Sequence, residues 1–273
     1  MNLKEGLQTL LKEGESMPTG FDVVGDIAIL EIPQELAYKE KKIGQLLLSI
    51  FPNIKVVVKK FGIHGGKFRL QKYRILAGAR RKTTIHKESG ILLKLHIEKT
   101  YFSVRSGTER LRVAALVKEG ERVLVMFAGV APFPLVIARH SKAGRVVGVE
   151  LNNEAHKFGL ENVRINKLEK RVELLGGDVR KILPGMHEKF DRIIMPLPKD
   201  AELFLADALK VARKGTMIHI YYFGREDEIP AIGERIVATA KQAGRVMQVS
   251  GVVRAGNFAP RVYRLCFDCE VLD

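Results

Sequence analysis

Leu3, Leu7, Leu10 and Leu11 fall at helical spacing and predict a short first helix, with a loop at Gly14, Pro18 and Gly20. Phe21 to Ile32 alternates like a strand and carries a Gly25-Asp26 turn. Pro33 opens a helix to about Ser49, with Ile43, Leu46, Leu47 and Ile50 on its apolar face. A strand at Ile54–Lys60, a turn at Gly62–Gly66, basic strands at Phe68–Ala77 and Arg80–His86, and an alternating strand at Ile91–Glu98 follow. Tyr101–Arg112 reads as a hinge leading into a helix at Glu109–Lys118. From Glu121 onward, strands (121–127, 145–150, 171–175, 190–195, 215–222) alternate with helices (near 132–140, 153–166, 200–213, 229–243). That alternation predicts a parallel sheet covered on both faces. The last strands, 245–254 and 261–270, are joined by Ala255–Pro260 as a hairpin, which makes the final strand antiparallel. The expected fold is α/β, a Rossmann-like doubly wound sheet with an antiparallel last strand plus a small N-terminal α+β domain. The expected divisions are 1–20 (helix and loop), 21–100 (small basic domain) and 101–273 (larger domain).

Charge sharpens this picture. The chain of 273 residues carries a net charge of +15. Between Ile54 and Arg112 stand 16 Lys and Arg against three acids, Glu88, Glu98 and Glu109. A field concentrated in this way suits a polyphosphate partner, because each neutralised phosphate releases a counterion. The basic segment has few aromatics, which favours contacts to a nucleic-acid backbone over base stacking. Only two cysteines are present, Cys266 and Cys269, so no disulfide framework is expected and a reducing, cytoplasmic compartment is. Their spacing on a strand puts them on opposite faces, and no metal site is expected. No apolar run approaches the roughly 20 residues of a membrane span, and neither a membrane nor a required protein partner is expected.

The chemistry centres on Glu121–Phe133. A buried strand runs into a turn of small residues, Ala128, Gly129 and Ala131, and a helix opens on Pro132. The next strand, Arg145–Val149, ends on Glu150, placed to accept hydrogen bonds from ribose hydroxyls. A nucleoside-cofactor site is therefore expected at Phe127–Ala131 and Glu150. Gly176-Gly177-Asp178 follows the third strand; Asp178 is read as an acceptor for an adenine amino group, or as a helix N-cap. Met195-Pro-Leu-Pro198 ends the fourth strand in a rigid loop without an acid, base or amide side chain, and Lys199 beside it meets phosphate or solvent. Glu109 is the carboxylate of Tyr101–Arg110. It is a candidate proton acceptor, with an ion pair to Arg105 or Arg112 as the alternative. His86-Lys87-Glu88 reads as a surface cluster.

Tyr101-Phe-Ser-Val-Arg-Ser-Gly-Thr-Glu-Arg110, Met126-Phe-Ala-Gly-Val-Ala-Pro-Phe133, Gly177-Asp178 and Met195-Pro-Leu-Pro-Lys199 resemble the archaeal tRNA guanosine-37 N1-methyltransferases. They resemble more closely the paralogous wybutosine-synthesising aminocarboxypropyltransferases. The likeness runs from about Phe21 to the C-terminus. It implies a small tRNA-facing domain and a class I S-adenosylmethionine-binding domain. A further N-terminal domain common in the methyltransferases is expected to be missing. The methyltransferases read Asp and Gly where Val125 and Ala131 stand, and Asn-Leu-Pro where Pro196-Leu197-Pro198 stands. Proline cannot replace that amide. The resemblance thus implies transfer of the 3-amino-3-carboxypropyl group of S-adenosylmethionine to C7 of 4-demethylwyosine at position 37 of phenylalanine tRNA, releasing methylthioadenosine. Methylation of the same or a related base is the alternative. On this likeness Glu109 is the base, and Ser103 and Arg110 take the methionine carboxylate. Phe127, Ala128, Glu150, Gly177 and Asp178 hold adenosine. Arg69, Lys72 and Arg74, with Pro196 and Lys199, meet the tRNA anticodon stem-loop.

Overall fold

The computed structural model describes residues 3–16, 20–66 and 68–273, with Ile63 and His64 as backbone only. Pro18 of the expected first loop lies outside them. The chain forms two compact units, Met1–Lys87 with Leu92–Val104, and Glu88–Ile91 with Arg105–Asp273.

The first unit holds α1 (Leu3–Leu10), β1 (Asp22–Val24), β2 (Ile27–Leu30), a 3-10 turn and α2 (Glu40–Ile50), β3 (Val56–Gly65) and β4 (Leu70–Gly78). The sheet order is β1-β2-β3-β4. β2 and β3 are parallel because α2 carries the chain back. Ile43 and Leu47 of α2 pack with Leu3 and Leu7 of α1 against Ala28, Leu30, Val57 and Leu76. The first helix thus shares this core. The expected turn at Gly62–Gly66 is different: β3 continues to Gly65 past a register shift. Buried Gln71 donates to the carbonyls of Phe61 and Gly62 at 3.0 and 3.2 Å, holding the irregular stretch in the sheet. Arg69, left-handed at φ 52°, instead donates its N–H to the Gly66 carbonyl at 3.1 Å before β4 begins. A separate two-stranded sheet pairs β5 (Thr83–Glu88) and β6 (Ile91–His96).

The second unit contains α3 (Gly107–Ala115), β7 (Arg122–Met126), α4 (Pro132–His140), β8 (Arg145–Glu150), α5 (Asn153–Ile165), β9 (Val172–Gly176), α6 (Val179–Ile182), β10 (Phe190–Met195), α7 (Leu205–Lys210), β11 (Ala212–Gly224), α8 (Ile229–Gln242), β12 (Met247–Ala259) and β13 (Val262–Val271). The sheet runs β12-β13-β11-β10-β7-β8-β9. β7, β8, β9, β10 and β11 are parallel, and β13 lies antiparallel between β11 and β12, as expected. Several boundaries move. α3 begins at Gly107. The helix expected to 213 ends at Lys210 because β11 starts early with a bulge at residues 213–216, held by Thr216 Oγ1 donating to the Phe190 carbonyl at 2.7 Å. The expected Ala255–Pro260 loop is mostly strand, and the hairpin turns on Pro260-Arg261. Among the described residues no helix is long and apolar enough to cross a membrane.

Candidate cofactor and catalytic site

At the carboxyl edge of β7 the backbone takes alternate left-handed residues: Phe127 (φ 61°), Gly129 (60°) and Ala131 (69°). That alternation folds the turn tightly on itself, with Ala131 N–H donating to the Ala128 carbonyl at 3.0 Å. Gly129 N–H donates to Glu150 Oε2 at 2.6 Å, and Asn152 N–H donates to Oε1 at 2.7 Å. Of the carboxylate's roughly four acceptor sites, about one remains for a hydroxyl donor once Leu151 N–H is counted. Burial raises Glu150 above the usual carboxylate range, while the N–H groups of Asn152, Gly129 and Leu151 pull it back. Fully buried Asn162 on α5 donates to the Val130 carbonyl at 2.9 Å and fixes the turn from below. It escaped the sequence reading, although an Asn on the apolar Ala155/Gly159/Val163 face of the helix was its signal.

Ala131 carries the left-handed conformation at the N-cap of α4 without a glycine's freedom. Ala131→Gly is expected to raise stability by about 0.5–1 kcal/mol. Urea denaturation checks this; a loss would mean that the buried methyl outweighs the backbone strain.

Gly177 has φ 145°, and a Cβ there would stand 3.0 Å from Ile182 Cδ1. Its N–H donates to the Glu150 carbonyl at 2.8 Å, joining the ends of β8 and β9. Asp178 is the N-cap of α6: Oδ1 accepts from Arg180 N–H at 3.0 Å, and Oδ2 from the Arg180 guanidinium at 2.6 Å. The capping alternative is therefore realised, and Arg180 pairs with the carboxylate in an exposed position. Arg180 lies 5.5 Å over the Phe204 ring, which meets Phe127 edge-on at 4.9 Å. Ala128 needs correction as a direct ligand: it is buried and its N–H is committed to the Val149 carbonyl at 2.8 Å, so it shapes the turn.

Glu109, in the first turn of α3, is 4% exposed. It accepts two hydrogen bonds at 2.8 Å from the fork of Arg112 and one at 2.6 Å from Tyr221 O–H. Arg112 continues to Asp268 at 2.8 Å, and His219 Nδ1 lies 2.6 Å from Asp268 Oδ1. Arg192 stands 2.8 Å from His219 Nε2 and also bonds Glu121 at 2.8 Å. A guanidinium only donates, so Nε2 accepts and the proton sits on Nδ1, toward Asp268. Burial depresses His219 and favours this neutral form, which Arg192 and Arg112 reinforce. Arg112 and His219 in turn hold Asp268 far below the usual carboxylate range against its own burial. The ion-pair alternative for Glu109 is thus present, and the same contacts fix its orientation. Tyr221, Asp268 and His219 were missed; polar residues at alternate positions of an otherwise apolar strand (His219, Tyr221) were the signal.

His219, Cys266 and Asp268 have ligand atoms within 4.8 Å of one another. Those atoms are engaged with Arg112, Arg192 and each other, and burial pushes the Cys266 thiol well up. Two guanidiniums beside the group disfavour a cation. Cys269 lies in the apolar core on the opposite face, as expected.

Arg110 also needs correction. Its fork is filled by Glu88, with both hydrogen bonds at 2.6 Å and the pair buried within the second unit. Glu88 is a structural partner rather than part of a surface cluster. Ser103 is half-buried and belongs to the first unit. In that unit Lys72 and Arg74 share the exposed face of β4. Arg74 lies 5.2 Å over Phe61 and 3.6 Å from Glu40, while Arg69 sits in the turn before the strand. In the second unit Pro196 is half-buried and Lys199 exposed. Leu197 N–H donates to the Met195 carbonyl at 2.8 Å, so the Pro196–Pro198 stretch offers a ligand no backbone donor, only carbonyls.

The strand order with its reversed last strand, the turn after β7 and the acid ending β8 define a class I methyltransferase-type fold. The profile of the TRM5/TYW2 methyltransferase domain matches residues 84–250, that of the TYW2 N-terminal domain matches residues 3–82, and the chain belongs to the TRM5/TYW2 family. It is 41% identical to tRNA (guanine(37)-N(1))-methyltransferase Trm5b of Pyrococcus abyssi, over 93% of this chain and 76% of that protein. It is 30% identical to the tRNA(Phe) (4-demethylwyosine(37)-C(7)) aminocarboxypropyltransferase of Pyrococcus horikoshii, over 93% and 90%. The solved structure of P. horikoshii TYW2 in complex with MeSAdo aligns with a TM-score of 0.83 at 28% identity, covering 99% of this chain and 98% of that one. The closer likeness expected to the aminocarboxypropyltransferases is not the order of these identities.

Proposed function

We propose that the chain transfers the methyl group of S-adenosylmethionine to guanosine at position 37 of a tRNA. The observation that carries this reading is the pair of identities, 41% and 30%, to two paralogues from one genus. Both relatives come from one genus, and the higher identity to the methyltransferase supports this reading. The acceptor-only loop at Pro196–Pro198 agrees. Guanine presents N–H donors at N1 and its 2-amino group, whereas the tricyclic base has closed those nitrogens into its added ring.

In this reading the turn at Phe127–Ala131 and Glu150 receive the ribose, and Gly177 and Asp178 border the adenine. The base N1 attacks the sulfonium methyl in line, the carbon–sulfur bond breaks, and neutral S-adenosylhomocysteine leaves. The N1 proton goes to Glu109. Lys72, Arg74, Arg69 and Lys199 meet backbone phosphates. Replacing exposed Lys72 with Ala is expected to reduce the slope of log affinity against log salt by about 1; an unchanged slope would remove Lys72 from the interface.

Aminocarboxypropyl transfer is the second reading. Val125, fully buried in β7 where the methyltransferases carry an acid, favours it because a candidate anchor for the methionine ammonium is gone. Chromatography of the small product separates the two. S-adenosylhomocysteine is expected; methylthioadenosine would establish the second reading in its place.

A further inference from the structure

On one face of the paired strands β11 and β13, His219 stands opposite Asp268, Tyr221 opposite Cys266, and Phe223 opposite Arg264. The first two rungs belong to the buried network that ends on Glu109. The third lies one rung nearer the carboxyl end of β11, about 7 Å from Tyr221 at strand spacing, and is built differently. Phe223 is half-buried, and its ring is stacked by Phe258 at 3.9 Å and 24°. Phe258 is 57% exposed. It falls at a register shift between Asn257 and Ala259, so it has no partner on β13; a bulge of this kind re-aims a side chain. The Arg264 guanidinium lies 5.9 Å over the Phe223 ring and donates through Nη1 to Ser106 Oγ, while its buried Nε has no hydrogen-bond partner among the described residues. A buried guanidinium N–H without an acceptor is costly. Phe223 N–H meets the Pro198 carbonyl at 3.3 Å, tying this rung to the acceptor-only loop.

We propose that the Phe223–Phe258 stack with Arg264 is a subsite for one unpaired nucleobase adjoining the base that is modified, Phe258 supplying the stacking face and Arg264 Nε–H a donor to that nucleotide. This rests on the tRNA reading above and deepens it. An exposed aromatic face beside a guanidinium binds any base by stacking, independently of sequence, which suits an enzyme that must splay a loop to reach one base.

The experiment measures affinity for unmodified tRNA, and for the same tRNA made abasic at each nucleotide flanking position 37, with wild type, Phe258→Ala and Phe258→Trp. Phe258 is exposed, so the variants are expected to fold; thermal melting checks it. Wild type is expected to lose about tenfold in affinity when one flanking base is removed. Phe258→Ala is expected to lose the same factor on intact tRNA and nothing further on that abasic RNA, and Phe258→Trp to bind like wild type. Wild-type binding matched by Phe258→Ala, or losses that add at every flanking position, would overturn the subsite and leave the tRNA reading standing. A self-association of the chain without RNA that Phe258→Ala abolishes would assign the stack to a second copy and also overturn it. Failure of wild type to bind any tRNA would sink both.

Discussion

Glu109→Gln is expected to lower the turnover of tRNA modification by about 10²–10⁴-fold, the range for removing a positioned proton acceptor, while affinity for tRNA changes little. The magnitude follows from what surrounds the carboxylate. Three hydrogen bonds from Arg112 and Tyr221 fix both oxygens and leave one acceptor position for a substrate proton. An amide keeps the shape, cannot take a proton, and sets an NH2 against donors on one side. Some stability is therefore lost as well, on the order of 1–3 kcal/mol. Single-turnover rates at saturating enzyme, beside a melting curve, separate the two effects. A variant with a near-normal rate would make Glu109 purely structural, and a large loss of tRNA affinity would point the same way.

Asp268→Asn is expected to lose about 1.5–3 kcal/mol of stability, the range for hydrogen bonds to charged groups. Asp268 lies between the Arg112 guanidinium and the His219 ring, with its side chain 15% exposed. Removing its charge leaves Arg112 with Glu109 as its remaining counter-ion, and sets an amide NH2 against either the Arg112 guanidinium or the His219 Nδ1–H. Its pH behaviour carries a sign. The folded-state value is depressed by His219 and Arg112, so the contribution is fully present above the unfolded carboxylate value of about 3.9. It is lost as pH falls through the folded value. Urea denaturation across acidic pH is expected to show wild type losing stability steeply, and Asp268→Asn with a lower and flatter profile. Equal slopes for the two proteins would contradict the assignment. Because Arg112 also holds Glu109, the variant is expected to slow turnover more than it weakens tRNA binding.

The doubly wound sheet was legible because its central strands are buried on both faces. Val123–Met126 and Val146–Val149 read as apolar runs, and Glu150 stands out as the acid that ends one of them. The antiparallel last strand followed from a short connection, although the hairpin extends further than the glycine and proline suggested. The strand irregularities at Gly62–Gly65 and residues 213–216 were hidden, since they depend on Gln71 and Thr216 reaching carbonyls from another part of the chain. The surroundings of Glu109 were half visible. Glu109 announced itself as an acid among cations, but its partner Tyr221 stands 112 residues away, and Asp268 stands 156 residues beyond the intervening Arg112. No local period encodes such meetings. Arg110 misled for the same reason: a fork that fits a carboxylate was read as waiting for one from the donor, and Glu88 supplies it.

The most direct measurement gives the protein unmodified tRNA with S-adenosylmethionine carrying label on the methyl carbon in one tube and on the carboxyl carbon in another. The account predicts that the nucleoside at position 37 becomes radioactive from the methyl-labelled donor alone. Radioactivity entering that nucleoside only from the carboxyl-labelled donor would contradict it.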